Sequence, residues 1–134
     1  MLTRGILHAQ TRSLLARTGH RDWLALTDAG FNNPPQVETV DLAFLPNLPT
    51  MLQVLDGILE EFNVEKVILA EEIREFAPDL LDEYQKRFEG ITIEFVPHSK
   101  FDQLVPKAKG IIRTGQYGLH APNLILQSGC TYDG

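Results

Sequence analysis

Residues 66–96 read KVILAEEIREFAPDLLDEYQKRFEGITIEFV. Lys66-Val67-Ile68-Leu69-Ala70 is an apolar run short enough for a buried strand. Pro78 is placed to open a helix that carries Leu81, Tyr84 and Phe88 on one side and closes at Gly90. Ile91-Thr92-Ile93-Glu94-Phe95-Val96 then alternates as a strand should. A helix between two apolar strands favours parallel pairing, with the sheet covered on both faces.

The same alternation extends in both directions. Upstream, Thr50 is placed to cap a helix whose apolar stripe is Leu52, Leu55, Ile58, Leu59 and Phe62. Trp23 to Thr27 is another buried strand, Thr11 to Arg17 a short helix ending near Gly19, and Val37 to Phe44 a strand running into irregular chain. Downstream, Ser99-Lys100-Phe101-Asp102 resembles a capping box with Asp in place of Glu, opening a helix through Leu104 to Lys107. Gly110 to Thr114 and Asn123 to Gln127 supply the last two strands. The expectation is one α/β domain over residues 1–134, with a mostly parallel central sheet and helices on both faces.

Composition narrows the function classes. With 43% hydrophobic and 22% charged residues, the 134-residue chain can bury a core without staples. A net charge of −6 argues against nucleic acid and anionic membrane as partners. Met1-Leu2-Thr3-Arg4-Gly5 has no long apolar run behind it, so neither a signal peptide nor a membrane span is expected. The single cysteine, Cys130, cannot form an internal disulfide, which suits a reducing cytoplasm. Glycine-rich phosphate loops and a Gly-x-Ser-x-Gly elbow are absent, and no two of the four histidines have metal-pair spacing. Neither a cofactor nor a metal is expected.

In doubly wound sheets, ligands sit beyond the carboxyl ends of the strands. Asp28 follows the first strong strand and His98 the fourth. A strand-end Asp can instead close an Asx-turn on its own backbone, and His98 can be a plain loop imidazole. His20 follows Gly19 between a helix and a strand, either reaching into a pocket or capping the helix end. Glu71-Glu72 also follow a strand, where they read as a solvated helix start, and His8 reads as surface or N-terminal packing. Imidazoles titrate near neutrality, so with a carboxylate and an amide they could form a pocket for moving protons on a sugar.

Together these segments resemble the D-ribose pyranase family of sugar mutarotases, which includes the related L-fucose mutarotases. The likeness runs from Arg4-Gly5-Ile6-Leu7 through Gly19-His20-Arg21-Asp22, Thr27-Asp28-Ala29-Gly30-Phe31 and Val40-Asp41-Leu42-Ala43. It continues through Leu48-Pro49-Thr50, Ala70-Glu71-Glu72-Ile73, His98 and Ile112-Arg113-Thr114-Gly115 to Asn123-Leu124-Ile125-Leu126. The resemblance implies cofactor-free exchange between pyranose and furanose forms of D-ribose. It implies His20 as the catalytic histidine, Asp28 and His98 as sugar-binding residues, and a ring-shaped homo-oligomer, typically a decamer. Our own assignment makes His20 the proton donor, with Asp28 and His98 orienting the hydroxyls and either one able to accept the anomeric proton. The family completes its site with a Tyr-Ala-Asn triplet given across a subunit boundary, and Asn123 matches its asparagine. Here the loop reads Tyr117-Gly118-Leu119-His120-Ala121-Pro122-Asn123, one residue longer than the family spacing. The family tyrosine therefore falls on His120, or on Ala121 if counted back from Asn123, with Tyr117 as a third candidate. An imidazole at 120 can donate and accept as a phenol does, so His120 joins the expected sugar-binding set.

Overall fold

Residues 66–96 do fold as helical chain between two strands, with a short extra helix ahead of the one that Pro78 opens, inside a larger sheet. The computed structural model describes residues 1–132. Its elements are α1 (Ala9–Arg17), β1 (Trp23–Thr27), β2 (Thr39–Asp41), α2 (Met51–Leu59), β3 (Val64–Ala70) and α3 (Ile73–Phe76). They continue with α4 (Pro78–Arg87), β4 (Thr92–Val96), α5 (His98–Leu104), a 3-10 turn (Val105–Lys107), β5 (Gly110–Arg113) and β6 (Leu124–Ser128).

The six strands lie in the order β2-β5-β1-β6-β3-β4. β5 pairs in parallel with both β1 and β2, and β3 in parallel with β4. β6 runs antiparallel between β1 and β3. Five strands therefore point one way and only β6 points back, which gives the mostly parallel sheet that the alternation predicts.

Alternating side chains along each strand separate two apolar layers. Leu24 and Leu26 of β1 face one layer, where Leu14 of α1, Leu55 and Ile58 of α2, and Leu81 of α4 bury their stripes. Ala25 faces the other, covered by Phe101 and Leu104 of α5 and by Val105. Full burial of such a side chain is worth about 1.5–3 kcal/mol, against about 0–1 for an exposed ion pair such as Arg17–Glu38. The two layers hold the sheet. Gly110 suits this packing, because a Cβ there would sit 2.6 Å from Leu14 Cδ1 and oblige the leucine to shift.

Local chemistry sets the element ends. Thr50 Oγ1 accepts the Gln53 N–H at 3.2 Å while Gln53 Oε1 accepts the Thr50 N–H at 2.8 Å, a reciprocal capping box. Pro78 is the first residue of α4, and Gly90 takes φ +80 just beyond it. α1 begins two residues before Thr11 because His8 Nδ1 accepts the Thr11 N–H at 3.3 Å. The capping box expected at Ser99 does not form. α5 starts at His98 behind an extended Pro97, and the His98 N–H goes to the Glu72 carboxylate, 3.1 Å from each oxygen. Glu72 is thus a cap for a distant helix rather than a purely solvated acid. No helix of the described residues is long and apolar enough to cross a membrane.

Candidate active site

Five strands deliver their carboxyl ends to one edge of the sheet, and the reversed β6 brings its amino end to the same edge. Asp28 follows β1, Glu71 follows β3, His98 follows β4 and Asn123 precedes β6, so four loops meet there. Asn123 is only 4% exposed, and its Oδ1 accepts the Asp28 N–H at 2.6 Å. That bond joins the loop after β1 to the loop before β6. Arg113 donates to the Ala29 carbonyl from Nε at 3.2 Å and Nη2 at 2.9 Å. Its Nη1 also reaches both Asp41 oxygens, at 2.9 and 3.0 Å. The ends of β1, β2 and β5 are thereby tied together.

Asp28 sits half-buried in this frame. Desolvation pushes its carboxyl above the ordinary value of 3.8, while the Asn123 amide, nearby backbone N–H groups and the Arg113 charge hold it down. Burial prevails, leaving a carboxylate that accepts a proton more readily than one in water. In front of it lies a cleft of about 730 Å³ whose polar lining is Asp28, Asn32, His98, Asp102, His120 and Asn123. Phe31 contributes an apolar wall and packs edge-on against Phe101, with ring centroids 6.5 Å apart. Several hydrogen-bonding groups beside an apolar wall suit a small molecule rich in hydroxyls.

His98 is the first residue of α5, and its Nδ1 lies 3.3 Å from Asp102 Oδ2 one turn further on. The 117–123 loop is pinned from beneath. The Tyr84 hydroxyl, fully buried on α4, donates to the Pro122 carbonyl at 2.6 Å. Burial raises its pKa well above the ordinary 10, which keeps it a neutral donor. Ala121 takes the left-handed φ of +58, and the His120 ring meets the edge of Phe76 at 5.7 Å. His120 and Ala121 both line the cleft, whereas Tyr117 is exposed outside it.

His20 is elsewhere. It lies before β1 rather than after it, with Asn63, Ser128 and Cys130 at the opposite edge of the sheet. Its Nε2 is 3.3 Å from Glu65 Oε2. The expected meeting of His20 with Asp28 and His98 in one pocket therefore does not occur within one chain. The reason is topological: at about 3.3 Å per residue, the five residues of β1 separate the two edges by about 16 Å. Within one chain, His120 and Asn123 of loop 117–123 line the same cleft as Asp28.

Sequence reasoning missed Tyr84, Arg113 and Glu72 as supports of the site. Tyr84 carried a faint signal, being the one phenol in an otherwise aliphatic and phenyl stripe. Arg113 and Glu72 lie at strand ends within segments that carry the family resemblance, but nothing there points to their partners. Among the described residues, no three His, Cys, Asp or Glu side chains gather in a group able to hold a metal ion.

The family model described as the RbsD / FucU transport protein family matches residues 1–131. A D-ribose pyranase of Geobacillus kaustophilus is 38% identical over 128 residues, covering 96% of this chain and 93% of that protein. One from Geobacillus thermodenitrificans is 37% identical over 132 residues, covering 98% and 99%. Among solved structures, Bacillus subtilis RbsD complexed with D-ribose superimposes with a TM-score of 0.93 at 35% identity, over 98% of this chain and 100% of that one. The fucose mutarotase from Streptococcus pneumoniae in complex with L-fucose shares the fold at a TM-score of 0.80 and 20% identity, over 93% and 94%.

Proposed function

The chain belongs to the RbsD / FucU family, and from that premise we propose that it is a D-ribose pyranase, an isomerase that exchanges the β-pyranose and β-furanose rings of ribose. The observation that carries this reading is the full-length likeness to the ribose-bound relative, with a TM-score of 0.93 at 35% identity. The mixed polar and apolar cleft supports it, being suited to one monosaccharide.

Ring exchange needs a proton on the ring oxygen and removal of one from the anomeric hydroxyl. Asp28, made more basic by burial, takes the anomeric proton. As the C1–O5 bond breaks, an imidazolium at His20 protonates O5 and leaves the open aldehyde. Rotation brings O4 to C1, and closure runs the transfers in reverse through the other hydroxyl. His98, His120 and Asn123 orient the hydroxyls and bind the sugar. No bound cofactor enters the scheme, because every step is a proton transfer within a sugar that also opens slowly in water.

His20 reaches the cleft from a second copy of the chain. A contact joining the amino edge of one sheet to the carboxyl edge of the next is head-to-tail, and such contacts close into a ring when the rotation between copies divides a full turn. The proposed assembly is therefore a homo-oligomer with its sites at subunit boundaries, a decamer if two five-membered rings stack. The lone thiol of Cys130 suits a cytoplasmic home.

Saturation-transfer NMR on the anomeric protons of D-ribose tests the activity. Added protein should speed pyranose–furanose exchange severalfold over the spontaneous rate. An unchanged ribose rate, or acceleration confined to L-fucose in the same assay, would refute the assignment.

A further inference from the structure

At the amino edge, three adjacent strands carry a side-chain relay that ends on His20. Trp23 Nε1 of β1 donates to Gln127 Oε1 of β6 at 3.0 Å. Gln127 Nε2 donates to Glu65 Oε1 at 2.7 Å, and Glu65 Oε2 lies 3.3 Å from His20 Nε2. The backbone is shaped for this contact. Val64 pairs with Ser128 but Lys66 pairs with Gln127, so Glu65 is the extra residue of a β-bulge. Bulges break a ladder and re-aim a side chain, here toward His20.

The direction of every bond in the relay follows from chemistry. An indole nitrogen can only donate, so Gln127 must present its carbonyl to Trp23 and its amide NH₂ to Glu65. A carboxylate can only accept, so the His20 atom facing Glu65 must be an N–H. The Gln127 hydrogen bond, more than any other contact, holds the Glu65 carboxyl below its usual range and keeps it ionised.

Building on the reading of His20 as the acid, we propose that Glu65 is its positioning residue, locking the ring in the Nε2–H form so that Nδ1 alone carries the transferable proton. In the imidazolium, Nε2–H stays on Glu65 while the Nδ1 proton passes to the ring oxygen as C1–O5 breaks. Nδ1 is then left with a lone pair to take the proton back from the hydroxyl that closes the new ring. Gln127 and Trp23 act one step further out, by fixing which way the relay runs.

This predicts an uncommon outcome for a near-isosteric change. In Glu65→Gln, the Gln127 NH₂ still claims the new carbonyl, so the new amide NH₂ faces His20 Nε2 and forces the proton onto Nδ1. Removing the indole donor with Trp23→Phe lets Gln127 turn over and releases that constraint. The test is ribose exchange kinetics together with ¹⁵N spectra of the His20 ring in the intact assembly, on Glu65→Gln, Glu65→Gln with Trp23→Phe, and His20→Ala. The expected result for Glu65→Gln is a kcat lower by about 10–100-fold with KM within about twofold, and a ring switched to Nδ1–H. The double variant should return the ring to Nε2–H and recover part of kcat. A dead His20→Ala beside a Glu65→Gln with parental kcat and an unmoved ring overturns this inference alone. A His20→Ala as fast as the parent instead overturns the reading of His20 on which it rests.

Discussion

At the carboxyl edge of the sheet, the functional groups are set into buried structure: Asn123 is 4% exposed, Tyr84 is fully buried, and Arg113 ties three strand ends. At the amino edge, His20 and Glu65 lie on the surface, and the His20 ring is oriented by a relay of side chains. A sugar pocket must be shaped before the ligand arrives, so its residues are pinned by packing and buried hydrogen bonds. In the proposed assembly the proton donor meets another chain's pocket, so it must protrude, and its orientation comes from exposed polar partners. His20 precedes β1 and Asp28 follows it, which places the two at opposite edges of one chain's sheet.

The comparison is broken most directly by His20→Ala. A positioned acid contributes about 10²–10⁴-fold, so this change should abolish the rate gain while calorimetry still detects ribose. Loss of binding in proportion to loss of rate would instead make His20 part of the pocket.

Asp28→Asn should fall next, removing the proton acceptor and most of the catalysed exchange. It should also stabilise the protein near neutral pH. A carboxyl whose folded pKa is raised contributes stability below the unfolded value near 3.8 and loses it as pH rises through the folded pKa. At pH 7 the parent bears the cost of a desolvated charge that asparagine avoids. Urea midpoints should therefore favour the variant at pH 7, with the gap closing as pH falls toward 4.

Smaller effects separate pocket shape from chemistry. Asn123→Ala strips the acceptor from the Asp28 N–H, at a cost of about 1–3 kcal/mol for a buried donor left unpaired, and should weaken ribose affinity measured by calorimetry. Tyr84→Phe removes only the bond to the Pro122 carbonyl, worth about 1 kcal/mol. Its expected signature is a higher KM with kcat nearly unchanged, because the loop loosens while the proton-transfer groups stay.

Much of this arrangement is legible in the chain. Runs such as Trp23–Thr27 and Lys66–Ala70 are too short and too apolar for anything but buried strands, and Asp28 and His98 follow from where those strands end. Strand direction is not legible, because periodicity reports which face is buried and not which neighbour is paired. The reversal of β6 is what brings Asn123 back beside Asp28. Ser99 misled because a local cap pattern competes with tertiary partners, and the Glu72 carboxylate took the His98 N–H first. The separation of His20 from Asp28 was readable, since residues before and after one strand must lie at opposite edges of a sheet. The bulge at Glu65 was not, because it exists only relative to β6.

Mixing two inactive chains tests the division of the site most directly. His20→Ala retains its cleft and Asp28→Asn retains its donor, so a randomly mixed 1:1 assembly should pair an intact donor with an intact cleft at about a quarter of its boundaries. Unfolding and refolding the two variants together should then restore ribose exchange to about a quarter of the parental rate. Exchange no faster than that of either variant alone, from mixed assemblies of parental size, would contradict the account.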